Sequence, residues 1–205
     1  MTLLPTIEVY KLVKQGELII EPFDSREERT PPATVDLTLG GKILRYNFPE
    51  ETYILGEEIP EEYQVYKEIK DVIEFKPKES IIISIYEKLV LPSYIAGIIL
   101  PRSSITRLGL SFQATYINPG YQGNCPILLT NQSEFTIKIP LKNGRSPRIA
   151  QILFLSLTKE PHRIYGEGLD EKYQDDKGYH SKIYQDIDIH EIFQPLLEIG
   201  RKHGL

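Results

Sequence analysis

Between Glu79 and Leu155 the chain alternates short apolar runs with turn signals, and this rhythm limits the possible folds more than any other feature. The runs are Glu79 to Leu91, Tyr94 to Leu100, Cys125 to Asn131, Phe135 to Ile139 and Arg148 to Leu155. Pro101, Asn118-Pro119-Gly120 and Asn143-Gly144 separate them. Each run is rich in Ile, Leu and Val, and Phe135-Thr136-Ile137-Lys138-Ile139 alternates apolar and polar residues as a half-exposed strand does. Many short strands divided by Gly, Pro and Asn predict a mainly β sandwich or barrel.

The flanking segments are less regular. Ile7, Tyr10 and Val13 share one helical face, with Gly16 as a C-terminal stop. Glu17 to Phe23 reads as a strand ended by Pro22, followed by a charged loop from Asp24 to Pro32. Ala33 to Leu39 alternates as a strand and is expected to stop at a Gly40-Gly41 turn. Residues 47–77 are acidic and Tyr-rich without a clean period, so a surface insertion with one strand or helical turn is expected. Ser103 to Leu108 can form a short helix after the Pro101-Arg102 turn. Residues 165–182 form a polar arm rich in Gly, Asp and Tyr. Ile189, Ile192, Phe193, Leu196, Leu197 and Ile199 are spaced for a terminal amphipathic helix that packs on its own domain or on a neighbour. The expected division is one domain over 1–188 and a helical extension over 189–205.

Composition narrows the function. The 205 residues are 40% apolar and 26% charged, enough for a sizeable core. A net charge of -5 argues against non-specific nucleic-acid binding. The single cysteine excludes an internal disulfide framework and fits a reducing compartment. No apolar run approaches the ~20 residues of a membrane span, and the N-terminus lacks a signal pattern, so a cytoplasmic protein is expected. No phosphate-binding Gly-rich loop and no His-x-Glu with Pro-Cys-x-x-Cys is present, which excludes a zinc nucleobase deaminase. His162, His180, His190 and His203 have no metal-ligand spacing and read as surface residues.

One stretch carries chemistry. Arg102, Ser103, Ser104 and Arg107 crowd two guanidinium forks and two hydroxyls behind an apolar run, a good anion site, unless they form a surface salt-bridge cluster. A helix starting at Ser103 would add its N-terminal amides. Tyr116 to Asn124 then bends the chain in a hairpin that could form a pocket. Asp36 is a carboxylate in an apolar strand. Pattern alone favours a partly exposed strand residue with a local hydrogen bond over a group aimed at a metal.

Five segments together resemble the trimeric dUTPase and dCTP deaminase superfamily. Pro101 to Leu110 is similar to its second motif, Ala33 to Gly40 to its first, and Tyr116 to Asn124 to its nucleoside-binding hairpin. Arg148-Ile149-Ala150-Gln151-Ile152 resembles its Arg-Ile-Ala-Gln motif, and Lys172 to Gly178 the arm of the deaminase branch. The pattern is nearest to the archaeal dUTPase-like branch. The resemblance implies a distorted jelly-roll β-barrel with short helices, a homotrimer with sites between subunits, and a Mg²⁺-bound pyrimidine deoxynucleoside triphosphate, dUTP or dCTP. It implies that Arg102, Ser103, Ser104 and Arg107 grip phosphates and that Asp36 meets the hydrated magnesium. It further implies that Tyr121 crowds the sugar's 2′ position, that the backbone of Ala114, Tyr116 and Ile117 reads the base, and that Tyr165 and Lys172 close over the ligand. Where the deaminase arm carries Gln facing the base, this chain has Asp176.

Two departures bear on the reaction. The deaminases carry a proton-shuttling glutamate on the strand after the hairpin, at or beside Leu129, and Pro126 to Thr130 holds no carboxylate. The dUTPase hairpin carries an Asp that activates water, and here the residue is Asn118. An amide positions water without taking its proton; the alternative is that Asn118 only caps the turn. The leading expectation is a slow dUTP diphosphatase, with dCTP deaminase and an inactive nucleotide-binding homologue as alternatives.

Overall fold

The computed structural model describes residues 2–23, 31–49, 53–166, 173–174 and 179–186, with 188, 189, 191, 195 and 198 beyond. Lys172, Asp176 and most of the expected terminal helix lie outside the described residues. The fold is mainly β, a curled sheet that forms a half-barrel. Two compact units divide it: residues 1–43 with 67–179, and residues 44–66 with 180–205.

In the first unit, β1 (Thr2–Leu3) leads into α1 (Thr6–Gln15), and Gly16 stops that helix at φ 76° with its N–H on the Leu12 and Val13 carbonyls. Glycine tolerates this left-handed cap. The helix buries Thr6 and Val9, while Ile7 is exposed. The expected Ile7, Tyr10, Val13 face is therefore rotated, because the Thr6 hydroxyl anchors inward on the Pro31 carbonyl. β2 (Ile19–Glu21) follows, then β3 (Val35–Tyr46), which ends in the second unit, β4 (Gln64–Glu68), which begins there, and β5 (Val72–Phe75), β6 (Ser80–Ile85), β7 (Lys88–Val90) and β8 (Ile95–Pro101). After α2 (Ser103–Thr106) come β9 (Leu110–Ser111), β10 (Thr115–Ile117), β11 (Gln122–Gly123), β12 (Pro126–Asn131), β13 (Ile137–Pro140) and β14 (Arg148–Ser156).

The principal sheet runs β10-β8-β14-β3-β6-β12-β9; β11-β7-β2 and β13-β5 form smaller sheets. Apart from β4, which pairs with β3, sheet neighbours are not consecutive in the chain, so distant segments are paired, as in a jelly roll. The β8–β14 ladder is the longest, Pro101 opposite Ala150 through Ile95 opposite Ser156. Leu37, Leu39, Ile81, Ile83, Ile99, Leu129, Ile152 and Phe154 are completely buried. Each contributes about 1.5–3 kcal/mol relative to an exposed position, which sets the strand registers.

Two expectations fail here for physical reasons. Gly40-Gly41 does not end β3, which continues to Tyr46. Gly41 is needed for close approach instead: a Cβ there would lie 2.1 Å from the Ile69 carbonyl oxygen. The Ile69 N–H donates to the Gly41 carbonyl at 2.8 Å. The segment read as a surface insertion supplies β4 and β5, and β5 buries Ile73 and Phe75 against the core while pairing with β13. Its alternation, four residues long, was hidden among acidic neighbours.

The second unit is built on aromatic rings. Tyr46, Tyr53 and Tyr63 each pack against Phe48 in tilted or edge-on pairs with centroids 5.5–5.7 Å apart. The Tyr46 hydroxyl accepts from the Ser181 N–H at 2.9 Å, and the Tyr66 hydroxyl lies 3.2 Å from His180 Nδ1. Burial, then Lys182, hold the His180 imidazole below its ordinary pKa.

Candidate functional site

Three neighbouring strands converge on one carboxylate. In the β14 ladder Gln151 sits opposite both Asp36 of β3 and Leu100 of β8, so β14 lies between the strand that carries Asp36 and the strand that leads to Arg102. Pro101 ends β8, and the Arg102 N–H is pinned to the Ile149 carbonyl at 3.0 Å. The Arg102 side chain then returns over the sheet. Its Nε lies 3.2 Å from Asp36 Oδ1, and its Nη1 donates to the Arg148 carbonyl at 3.3 Å. Arg148, the first residue of β14, donates from Nη1 to Asp36 Oδ2 at 2.7 Å. The Asp36 side chain is only 8% exposed, so its charge is balanced almost wholly by these two guanidiniums. Its Oδ1 makes no hydrogen bond of proper geometry despite the nearby Arg102. The expected local hydrogen bond of a strand residue is thus replaced by a buried carboxylate in a cationic frame.

Ser103, Ser104 and Arg107 follow on α2 and its C-terminal cap, all exposed. The expected short helix is present, and the Thr106 hydroxyl closes it onto the Ser103 carbonyl at 3.0 Å. Arg102, Ser103, Ser104, Arg107 and Arg148 therefore share one end of the β8–β14 pair. Among the described residues the patch holds several donors around one buried carboxylate, Asp36, and it suits an anionic ligand.

The second expected element is only partly a hairpin. β10 pairs with β8 and β11 pairs with β7, in different sheets, so Tyr116 to Asn124 links two sheets and forms no ladder of its own. Between them Asn118 to Tyr121 makes a tight turn: the Tyr121 N–H donates to the Asn118 carbonyl at 3.1 Å, with Pro119 second and Gly120 third at φ 83°. That sequence suits a type II turn. Asn118, Ala114 and Tyr116 are exposed, while Ile117 and Tyr121 are buried.

The arm docks on this turn. The Tyr165 N–H donates to the Pro119 carbonyl at 2.9 Å, and the Tyr165 ring lies 6.0 Å from that of Tyr121. Gln174 acts as a two-point clamp: its Nε2 donates to the Gly120 carbonyl at 3.2 Å and its Oε1 accepts from the Gln122 N–H at 3.1 Å. Tyr121 is 5% exposed and packs against Tyr165, so little of its ring is open to a sugar in this arrangement. The arm's polar residues gave no indication that Gln174, rather than a charged neighbour, makes the contact.

On β12 the burial alternates, with Leu129 completely buried and Leu128 52% exposed. An outward-facing catalytic group on this strand belongs at a position such as Leu128. Neither residue carries a proton-transferring group.

A buried ionic network lies one pleat from Asp36. Glu87 accepts from the Thr38 N–H at 2.9 Å, the Thr38 hydroxyl at 2.8 Å and Arg145 Nη2 at 2.9 Å. Burial raises the Glu87 pKa, and the Thr38 hydrogen bonds and Arg145 oppose it. Sequence reading missed this group because its members lie 49 to 107 residues apart.

Fold and site together define a mainly β protein with an arginine-rich patch at one end of β8 and a tight turn at the other. A profile described as dCTP deaminase-like matches residues 3–157. A relative from Methanosphaera stadtmanae, named dCTP deaminase, dUMP-forming, is 30% identical over 92% of this chain and 98% of its own. A Halorubrum lacusprofundi protein named dCTP deaminase is 28% identical over 92% of this chain and 94% of its own. The crystal structure of 2′-deoxycytidine 5′-triphosphate deaminase from Agrobacterium tumefaciens is similar in fold, with TM-score 0.56 and 21% identity, over 74% of this chain and 47% of that longer one. The chain belongs to the dCTP deaminase-like family.

Proposed function

We propose that this protein binds a pyrimidine deoxynucleoside triphosphate and slowly hydrolyses dUTP to dUMP and pyrophosphate. The observation that carries this reading is the frame of Arg102, Ser103, Ser104 and Arg107 at the end of β8, built around a buried Asp36. Arg102 and Arg107 would hold phosphate oxygens and stabilise the charge that develops as the bond to the leaving pyrophosphate breaks. Asn118 would position the attacking water, with no base to take its proton.

The site is completed by a second copy. Asn118 follows Ile117, which lies opposite Gly97, so it falls beside Ala96. Six residues of strand separate Ala96 from Arg102, about 20 Å at the usual rise per residue. The two side chains of one chain therefore do not meet at one phosphorus atom. A homotrimer that sets one copy's Arg102 against another copy's Asn118 meets this requirement, and Tyr116 and Leu128, both exposed, supply apolar surface.

Magnesium fits only as a hydrated ion carried by the nucleotide. Among the described residues no cluster of three His, Cys, Asp or Glu could hold a metal. Asp36 Oδ1, buried and without a hydrogen-bond donor, is an acceptor for a metal-bound water. When bound, the ion would neutralise phosphate charge.

Deamination of dCTP is disfavoured because Leu128 and Leu129 leave the strand without a proton shuttle. The same absence, with Asn118, favours a second reading: a nucleotide-binding homologue without turnover. Incubation with dUTP or dCTP and Mg²⁺, following pyrophosphate and ammonia, separates these. Pyrophosphate from dUTP supports hydrolysis. Tight binding without product supports the second reading, and ammonia from dCTP contradicts both.

A further inference from the structure

Arg148 lies in the same patch but has no assigned contact with the ligand, and it reaches Arg102 by two routes. Its carbonyl accepts from Arg102 Nη1 at 3.3 Å, and its guanidinium holds Asp36, which faces Arg102 Nε. The division of labour on the carboxylate is unequal. Oδ2 is bonded to Arg148 at 2.7 Å, while Oδ1 stands 3.2 Å from Arg102 without a hydrogen bond. A carboxylate with only one guanidinium for company would normally take it in a bidentate fork. Arg148 prevents this by occupying one oxygen and fixing the plane of the other.

We infer that Arg148 is a positioning residue that keeps Asp36 from capturing Arg102, so that Arg102 remains able to turn its guanidinium to a polyphosphate. The inference deepens the nucleotide reading and rests on it. Buried carboxylates do not stay unpaired, since leaving such a charge without a partner is strongly unfavourable. If the Arg148 guanidinium is removed, Asp36, 8% exposed, is left with Arg102 as its neighbouring cation. The carboxylate then closes on Arg102 through both oxygens, and any phosphate must break that fork before it binds. Loss of Arg148 thus weakens anion binding through competition from Asp36, and removal of the Asp36 charge relieves it. A phosphate-contacting or merely structural Arg148 would show no such relief.

The test is calorimetric binding of inorganic tripolyphosphate in EDTA, which removes any contribution of a metal at Asp36. R148A is expected to weaken binding on the order of tenfold, a size typical of coupled charged neighbours. In the D36N background the same R148A change is expected to have little effect. R148K, which keeps a cation beside Oδ2, should retain most of the wild-type affinity and controls for folding together with thermal midpoints. Wild-type protein that ignores tripolyphosphate sinks the nucleotide reading and this inference together. Binding unaffected by R148A, or weakened equally with and without D36N, overturns this inference alone.

Discussion

At the scale of single residues, the proposed site combines an arginine-rich patch with missing proton chemistry. Asn118 is exposed on a tight turn whose geometry depends on its carbonyl, so Asn118→Asp leaves the turn unchanged and adds a base. Pyrophosphate release from dUTP should rise about 10²–10⁴-fold in that variant; an unchanged rate would show that Asn118 is not the water-positioning residue. Glu87 gives a pH prediction. Its folded pKa is raised above 4.5, so the folded state holds its proton to higher pH than the unfolded chain does. Its contribution is most favourable below pH 4.5 and declines as pH climbs from there through the raised value. Denaturant unfolding across that range should show wild type losing stability relative to Glu87→Gln as pH rises. A constant difference would mean that Glu87 titrates normally. These residues also mark the limit of sequence reading. Arg102 and its neighbours were legible because they are contiguous, and the Asn118 and Leu129 departures because a resemblance fixes where carboxylates belong. Arg148 was visible only as a motif letter, because what it does depends on Asp36, 112 residues away.

At the scale of elements, most strands were legible and their partners were not. The run from Glu79 to Leu91, expected as one strand, divides into β6 and β7 at Tyr86-Glu87, while the later runs to Leu155 became β8 and β12 to β14 within a residue or two at their ends, since apolar alternation reports burial directly. The turn after β10 was found from its Asn-Pro-Gly, but its division between two sheets depends on β7 and β8 and leaves no local trace. Gly41 was misread as punctuation because a glycine needed for close packing looks like one needed for a turn. The structure separates the two uses. Gly41→Ala sets a Cβ 2.1 Å from a backbone oxygen, whereas at Gly16 nothing lies within 4 Å and only the φ of 76° is unfavourable. Gly16→Ala should cost about 1–2 kcal/mol, the usual penalty for a left-handed non-glycine residue. Gly41→Ala should cost clearly more by urea unfolding, and an equal loss would contradict the packing role.

At the scale of the whole molecule, the account requires more than one chain. Arg102 and Asn118 lie at opposite ends of β8, so under the proposed reading a chain of 23.6 kDa on its own would carry half of each of two sites. Sedimentation equilibrium should show a trimer, and a stable monomer with full activity would contradict the composite site. The separation was not legible in the sequence, where residues 102 and 118 look like neighbours. Only the β8–β10 register shows that the chain carries them apart.

The central claim is that this family member keeps the triphosphate grip and lacks the groups that deaminate. It is tested most directly by incubating the pure protein and Mg²⁺ with dCTP and with dUTP, and measuring ammonia and pyrophosphate in the same samples. The account predicts slow pyrophosphate release from dUTP, increased in Asn118→Asp and abolished in Arg102→Ala, with no ammonia from dCTP. Ammonia release from dCTP at a rate comparable to or above that of pyrophosphate from dUTP would contradict it.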